Sequence, residues 1–181
     1  MSDHVRQRLF HVSDRPDIAR FEPRPPPSLD CGVHGSVVWA IVEPLLHNYL
    51  LPRDCPRVTF YATASTAPAD VERFFTGTEA THVVAIESAW LERVRTGKLW
   101  LYELPAETFE CVDVGAGYFV SREGVEPTSK IEIVDILAAI AARDVELRVL
   151  PTLWHLRDAV HESTLAFSFI RMRHASPRPL L

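Results

Sequence analysis

IEIVDILAAIAARDVELRVLPTLWHLRD, residues 131–158, decides the fold class, because strand patterns and helix patterns alternate within it. The run IEIV is rich in β-branched residues, as strands are, whereas DILAAIAAR is typical of a short helix with Asp135 as its N-terminal cap. VELRVL then alternates apolar and polar residues like a second strand. From Thr152 a longer helix is predicted that reaches Phe167, because apolar residues recur near helical spacing. The stretch therefore predicts a β-α-β-α order at the end of the chain.

Upstream, short runs of β-branched and aromatic residues predict strands that are bounded by proline and glycine. The predicted strands cover residues 9–12, 35–41, 56–62, 82–87 and 98–104, with two more inside 109–122. Short helices are predicted over residues 44–51, 65–75 and 88–97. This order favours a single α+β domain over residues 1–175, with a mixed or split antiparallel sheet, short crossover helices and a C-terminal helical layer. Residues 176–181 are predicted to be a frayed tail.

Composition excludes several classes of protein. Hydrophobic residues make up 47% of the 181 residues and the formal net charge is -5, which is typical of a soluble globular chain and not of a disordered one. That charge provides no overall attraction to nucleic acid or to an anionic membrane, and no apolar run is long enough to span a membrane. Three cysteines without paired spacing argue against disulfides and against zinc. We therefore expect a cytoplasmic protein without a metal, membrane or nucleic-acid partner, and the oligomeric state stays open.

The segment LFHVSDRP, residues 9–16, places a histidine and a hydroxyl where the first predicted strand ends. A histidine at this point can bind a ligand hydroxyl or move a proton near neutral pH, whereas a core histidine bonds only to the backbone. Ser13 and Asp14 can bind a ligand, or they can cap the turn that precedes Pro16. Both interpretations stay open for His11 and for Ser13.

The turn YLLPRDCPRV, residues 49–58, supplies a second candidate site. Arg53 and Arg57 leave one proline-bounded loop, where they can hold a phosphate or carboxylate by bidentate hydrogen bonds or can pair with Asp54. Cys55 lies between these arginines, and a thiol beside guanidinium groups is a candidate nucleophile when its pKa is lowered. The turn therefore predicts either an anion site or a set of internal ion pairs around an inert thiol.

The segment LFHVSD, residues 9–14, resembles the first motif of the ADP-ribosyltransferase-like superfamily, L-[FY]-H-x-[ST]. The resemblance implies that His11 lies on the first core strand and contacts the ribose of NAD. GSVVWAI and PLLHNYLL resemble the second strand and the following helix of that superfamily. They imply that Ser36 or Trp39, together with Tyr49, flanks the nicotinamide.

The segment GAGYFVSREGVEPTSKIEI, residues 115–133, resembles the third motif of the superfamily, a strand with a glutamate ahead of it and a proline before the next strand. Gly117 occupies the position of that glutamate, and Glu123 and Asp113 are the nearby acids. In active transferases the glutamate positions the acceptor. The resemblance therefore implies binding of NAD or another nucleotide, with Arg53 neutralising phosphate charge, and it leaves enzymatic activity open.

Across its whole length the chain also resembles an uncharacterised bacterial family that carries LFHVSD, PRDCPRVTFYA and LAFSFIRMR, and this family implies no activity. Three functions are therefore open. The first is a small NAD- or nucleotide-binding protein with His11 as its contact or catalytic residue. The second is a non-catalytic interaction module that uses the proline-rich residues 21–32 and exposed aromatic side chains. The third is a small hydrolase that uses His11 with Ser13 or Cys55, although the chain has no G-x-S-x-G elbow.

Overall fold

The computed structural model describes residues 7–26 and 32–179, which form an α+β structure with two sheets. The strands are β1 Leu9–Ser13, β2 Val38–Val42, β3 Arg57–Tyr61, β4 His82–Glu87, β5 Leu99–Leu104, β6 Phe109–Asp113, β7 Tyr118–Ser121, β8 Ser129–Ile133, β9 Val145–Leu150 and β10 Ala166–Ile170. The helices are α1 Pro68–Phe75, α2 Leu91–Thr96, α3 Ile136–Ala141 and α4 Trp154–His161, and a 3₁₀ segment covers Glu43–Tyr49. No helix in the described ranges is long and apolar enough to cross a membrane.

The chain divides into two compact units. The first comprises the chain up to Leu46 together with Leu99–Ile133, and the second comprises His47–Lys98 together with Val134–Leu181. The first unit contains an antiparallel six-stranded sheet in the order β6-β7-β2-β1-β5-β8. The second unit contains α1 to α4 and a sheet in the order β10-β3-β4-β9, in which β4 and β9 run parallel and the other pairs antiparallel.

Strand β1 is an inner strand of the first sheet, and side chains on both of its faces are buried. Leu9 and Phe10 point to opposite faces, and their exposed fractions are 1% and 2%. The register with β5 sets His11 opposite the fully buried Tyr102. The register with β2 sets Phe10 opposite Ile41. His11 and Tyr102 therefore share one face of the sheet, and Phe10 and Ile41 share the other face.

The second unit is built around β4, whose sequence is an almost unbroken apolar run. Residues 83–86 are fully buried, as expected of an inner strand that is covered on both faces. Alternate residues of β4, Val83 and Ala85, contact one hydrophobic cluster. The other buried members of this cluster are Val58, Phe60, Phe74, Leu153, Val160 and Leu165. The cluster joins the β3–β4 pair to α1 and α4.

The structure confirms the predicted α+β class with a split, mostly antiparallel sheet, and it differs from the prediction near the C-terminus. Helix α4 stops after eight residues, and residues 166–170 form β10 instead of continuing the predicted helix. The chain is turned between the two elements by Thr164, whose amide and hydroxyl both donate to Asp70. Phe167 and Phe169 then stack on each other at 4.6 Å, a contact two residues apart that a strand permits and a helix does not.

The start of the predicted tail makes specific contacts within the second unit. Ser176 donates to Glu87 of β4, and the indole Nε1 of Trp154 donates to the carbonyl of Ser176 over 2.7 Å. Arg178 pairs with Asp158 of α4. These contacts hold residues 176–178 against β4 and α4, and residues 180–181 lie outside the described ranges.

Candidate functional site

His11 lies in the middle of β1, and its partly buried ring is held by the backbone of the neighbouring strand. Its Nδ1 lies 2.9 Å from the carbonyl oxygen of Trp39. Because a carbonyl oxygen only accepts, Nδ1 carries the proton and donates it to this bond. In the neutral ring Nε2 is then the accepting nitrogen. The Trp39 carbonyl thus sets both the orientation and the tautomer of His11.

Two aromatic rings pack beside His11 on the same face of the sheet. The Phe21 ring lies 4.6 Å from the His11 ring and 5.3 Å from the Tyr102 ring, which it meets edge to face. Phe21 is fixed by two backbone hydrogen bonds with Val125, of 2.8 and 2.9 Å. His11 is therefore part of a rigid aromatic cluster, which we call the His11 cluster and define as His11, Phe21 and Tyr102.

The proline-rich segment, residues 21–32, is attached to the first unit at two points. Besides the bridge at Phe21, Arg24 exchanges backbone hydrogen bonds of 2.9 and 3.0 Å with Val37. Residues 27–31 of this segment lie outside the described ranges. Its described part is an ordered loop beside the His11 cluster, as the sequence predicts.

Ser13 and the turn that follows it are tied together by short-range bonds. The buried Ser13 hydroxyl accepts from the Arg15 amide over 3.1 Å, which is the capping interaction left open by the sequence. The hydroxyl of Tyr102 donates to the Arg15 carbonyl over 2.7 Å and accepts from the Ile18 amide. Lys130 donates to the carbonyl of Pro16 over 2.7 Å. The geometry therefore gives Ser13 a structural partner.

The other two predicted ligand-binding residues of the first unit do not join the His11 cluster. Trp39 lies two residues from Ile41 on β2, so its side chain points to the face opposite His11. There its ring meets Tyr118 edge to face at 5.9 Å, and its buried Nε1 has no hydrogen-bond partner among the described residues. Ser36 is exposed just before β2. The backbone carbonyl of Trp39 thus contacts His11, whereas the two side chains do not line a common pocket.

The turn at residues 52–57 belongs to the second unit and carries both arginines of the predicted anion site, but the surroundings of the two arginines differ. Arg57 is 2% exposed, and it donates to the carbonyls of Asn48 and Cys55 over 2.9 Å each. Its guanidinium also lies 5.2 Å from the centre of the Tyr49 ring. Arg57 therefore holds the turn closed, whereas Arg53 is exposed at its tip.

Cys55 is fully buried, and burial raises the pKa of its thiol to about 12 even though the nearby Arg57 acts in the opposite direction. The thiol stays protonated at neutral pH, and its Sγ contacts the carbonyl of Pro56 at 3.6 Å. Because the thiolate is the nucleophilic form, this geometry does not suit Cys55 to the hydrolase role.

Beside Arg53, a short 3₁₀ turn after β10 brings more basic groups to the same loop. Asp54 Oδ1 lies 3.5 Å from His174 Nε2, to which Arg173 Nε donates over 3.0 Å. Arg171, at the start of this turn, interacts electrostatically with Arg53 and Asp54. Arg171 and Arg173 are far from Arg53 in the chain, and only the alternating arginines in FIRMR signal them in the sequence.

Two histidines form a second titratable group in the second unit. His47 is 3% exposed and its ring lies 4.7 Å from the ring of His82, which stacks on Tyr61 at 4.8 Å. Burial, followed by the nearby His82 and Arg143, lowers the pKa of His47 to about 3, and burial also lowers the pKa of His82. Within residues 7–26 and 32–179, no group of three or more histidine, cysteine or acidic side chains is arranged to hold a metal ion.

Comparison with known proteins identifies the family and assigns no activity. No curated protein and no solved structure matches the chain. One family model does match, that of a family of unknown function, DUF6886, and it covers residues 10–175. The match covers PRDCPRVTFYA and LAFSFIRMR completely and LFHVSD from its second residue, which are the three segments that carry the resemblance to an uncharacterised family. The chain therefore belongs to the DUF6886 family.

Proposed function

We propose that this protein binds a nucleotide, with NAD as the leading candidate, and that His11 contacts the ligand ribose. The observation that carries the proposal is the hydrogen bond between His11 Nδ1 and the Trp39 carbonyl, because it makes Nε2 the nitrogen that accepts from a ribose hydroxyl. The Phe21 and Tyr102 rings pack beside the imidazole and keep it in place. Trp39 contributes its carbonyl to this site.

The geometry near β7 favours binding over ADP-ribosyl transfer. Gly117 has a φ of 69°, and a Cβ at this position would lie 2.6 Å from Val42 Cγ1 and 2.9 Å from Leu45 Cδ1. No glutamate fits there without displacing these two side chains. The nearby Asp113 is occupied in the turn, where its Oδ1 accepts from the Ala116 amide over 2.8 Å. The residues present thus suit ligand recognition and supply no carboxylate at the position that orients the acceptor.

Titration calorimetry of the full chain with NAD, ADP-ribose and nucleoside phosphates tests the proposal. We expect saturable binding of at least one of them, and binding about tenfold weaker in His11→Ala because a ligand hydrogen bond and its packing are lost. His34→Ala, which removes an exposed histidine of the same unit, is the matched control and should bind like the wild type. Absence of saturable binding, or equal affinity in His11→Ala, would refute the proposal.

Substitution of Gly117 tests the steric argument separately. Gly117→Ala is expected to lower the free energy of unfolding by about 2 kcal/mol, through the positive φ and the contacts with Val42 and Leu45. Gly115→Ala is the control, since a Cβ at Gly115 meets only Asp113 Oδ1 at 3.6 Å. Urea denaturation measures both variants. Equal stability of the two would show that residue 117 tolerates a side chain and would reopen the question of transfer.

A further inference from the structure

We propose that the second unit carries a binding site for the phosphate group of a small phosphorylated molecule, formed by Arg53, Arg171 and Arg173. This arginine cluster is distinct from the His11 cluster, and the proposal does not depend on nucleotide binding at His11. It rests on how two turns meet, on two guanidinium groups without a hydrogen bond or ion pair among the described residues, and on a strained backbone.

The cluster is assembled where the turn at residues 52–57 meets the 3₁₀ turn Met172–His174. The contact between the turns is the 3.5 Å approach of Asp54 Oδ1 to His174 Nε2. Arg173 Nε donates to the same His174 nitrogen over 3.0 Å. The amide of His174 donates to the carbonyl of Arg171 over 2.9 Å, which closes the second turn. Arg53 precedes Asp54 in the chain, and Arg171 interacts electrostatically with Arg53, Asp54 and Arg173, so the three arginines lie near one carboxylate.

The guanidinium groups of Arg53 and Arg171 have no hydrogen bond and no ion pair with any described residue. Several exposed arginines elsewhere in the chain have carboxylate partners, as Arg8 has with Glu103. Arg171 is partly buried, and that burial, together with the neighbouring Arg173 and Arg53, lowers its pKa against the opposing effect of Asp54. Positive charge is thus concentrated where water cannot fully solvate it. This arrangement is unfavourable in the ligand-free protein, and a bound anion would reduce the repulsion between the guanidinium groups.

The backbone at Arg171 supports the same conclusion. Its φ of 57° and ψ of 27° place it in the left-handed region, which residues with a Cβ rarely adopt. Asp144 is the one other non-glycine residue with a positive φ in the described ranges. The conformation ends β10 and turns the chain so that Arg171 lies beside the Arg53 loop. Strained backbone that places a charged group without a partner is typical of a functional position.

Charge identifies the class of ligand. Three guanidinium groups and the Asp54 carboxylate leave a local charge of about +2, which matches a phosphate monoester at neutral pH. The N–H groups of a planar guanidinium also form paired hydrogen bonds with phosphate oxygens. The chain as a whole carries a charge of -5, so a long polyanion such as a nucleic acid would be repelled outside the cluster. A small molecule with one terminal phosphate fits both charges.

The test uses the full chain and two probes, phenyl phosphate and benzoate, in titration calorimetry at low salt. We expect saturable binding of phenyl phosphate and much weaker binding of benzoate. Arg53→Gln and Arg171→Gln should each weaken phenyl phosphate binding by about tenfold or more, because each removes a charge-assisted contact. Arg95→Gln is the matched control for charge, since Arg95 is an exposed arginine of the same unit that pairs with Glu92, and it should bind like the wild type. Absence of phenyl phosphate binding, or equal losses in all three variants, would overturn the proposal.

A melting experiment separates a ligand-binding arginine from a structural one. Without phosphate at low salt, Arg171→Gln should melt at or above the wild-type temperature because repulsion within the cluster is reduced. Phenyl phosphate should raise the melting temperature of the wild type and not that of Arg171→Gln. A lower melting temperature for Arg171→Gln in the absence of phosphate would show that the arginine is structural. His11→Ala should keep the phenyl phosphate response, which distinguishes failure of this site from failure of nucleotide binding at His11.

Discussion

His47→Gln is expected to remove a large part of the acid sensitivity of folding. The pKa of His47 is lowered from 6.5 to about 3 in the folded protein, mainly by burial. Between these two pH values the unfolded chain binds a proton that the folded chain does not bind. The stability that neutral His47 contributes is therefore fully present above pH 6.5 and is lost as the pH falls toward 3. The loss amounts to at most about 1.4 kcal/mol per pH unit, or about 3 kcal/mol by about pH 4.

The surroundings of His47 explain why protonation is unfavourable there. The His47 ring is 3% exposed and meets the His82 ring edge to face at 4.7 Å. Burial also lowers the pKa of His82, which favours its neutral form. The Nδ1 of His82 lies 2.9 Å from the Thr81 hydroxyl. A proton on His47 would face a neighbouring imidazole and the positive charge of Arg143.

Urea denaturation at a series of pH values, from about neutral to about pH 4, measures this effect. The quantity to compare is the difference in unfolding free energy between wild type and His47→Gln at each pH, since the carboxylates titrate in both proteins and cancel. His155→Gln, which replaces an exposed histidine of the same unit, is the matched control and should keep the wild-type profile. Parallel profiles for wild type and His47→Gln would show that His47 does not carry the acid sensitivity.

Local sequence patterns predict much of this fold because their physical causes are local. The apolar run of β4 is buried as an inner strand. Asp135 caps α3, where its Oδ1 accepts from the Ala138 amide over 2.9 Å. Pro68 begins α1, as its fixed φ and missing donor favour. Each of these features depends on a few neighbouring residues, so the chain alone is sufficient to predict it.

The candidate sites depend on pairing between distant strands, which the sequence does not encode in any one segment. His11 and Trp39 are both predicted strand residues, yet the register of β1 with β2 places their side chains on opposite faces. Arg53 and Arg57 share one turn, yet the fold buries Arg57 against two carbonyls and leaves Arg53 exposed. Arg171 lies more than a hundred residues from Arg53, and only the fold brings it to the same loop.

Glu87→Ala is expected to lower the free energy of unfolding by about 3 to 5 kcal/mol, because it leaves one buried and two half-buried donors without an acceptor. Glu87 ends β4 and is 2% exposed. Its carboxylate accepts from the Ser176 hydroxyl over 2.7 Å, from the Ser176 amide over 2.9 Å and from the Leu153 amide over 3.4 Å. One side chain thus joins β4 to the start of α4 and to the C-terminal segment.

Ser176→Ala isolates one of these bonds and is the matched control. It removes the hydroxyl donor and keeps both amide donors, so a loss of about 1 kcal/mol is expected in urea denaturation. The loss of stability in Glu87→Gln should lie between the losses in Ser176→Ala and Glu87→Ala. The amide nitrogen of the glutamine is a donor, and it would face another donor where the carboxylate has an accepting oxygen. A loss in Glu87→Ala no greater than that in Ser176→Ala would mean that the two backbone amides are satisfied without the carboxylate. In that case the C-terminal segment would be anchored by Trp154, whose Nε1 donates to the Ser176 carbonyl, and not by β4.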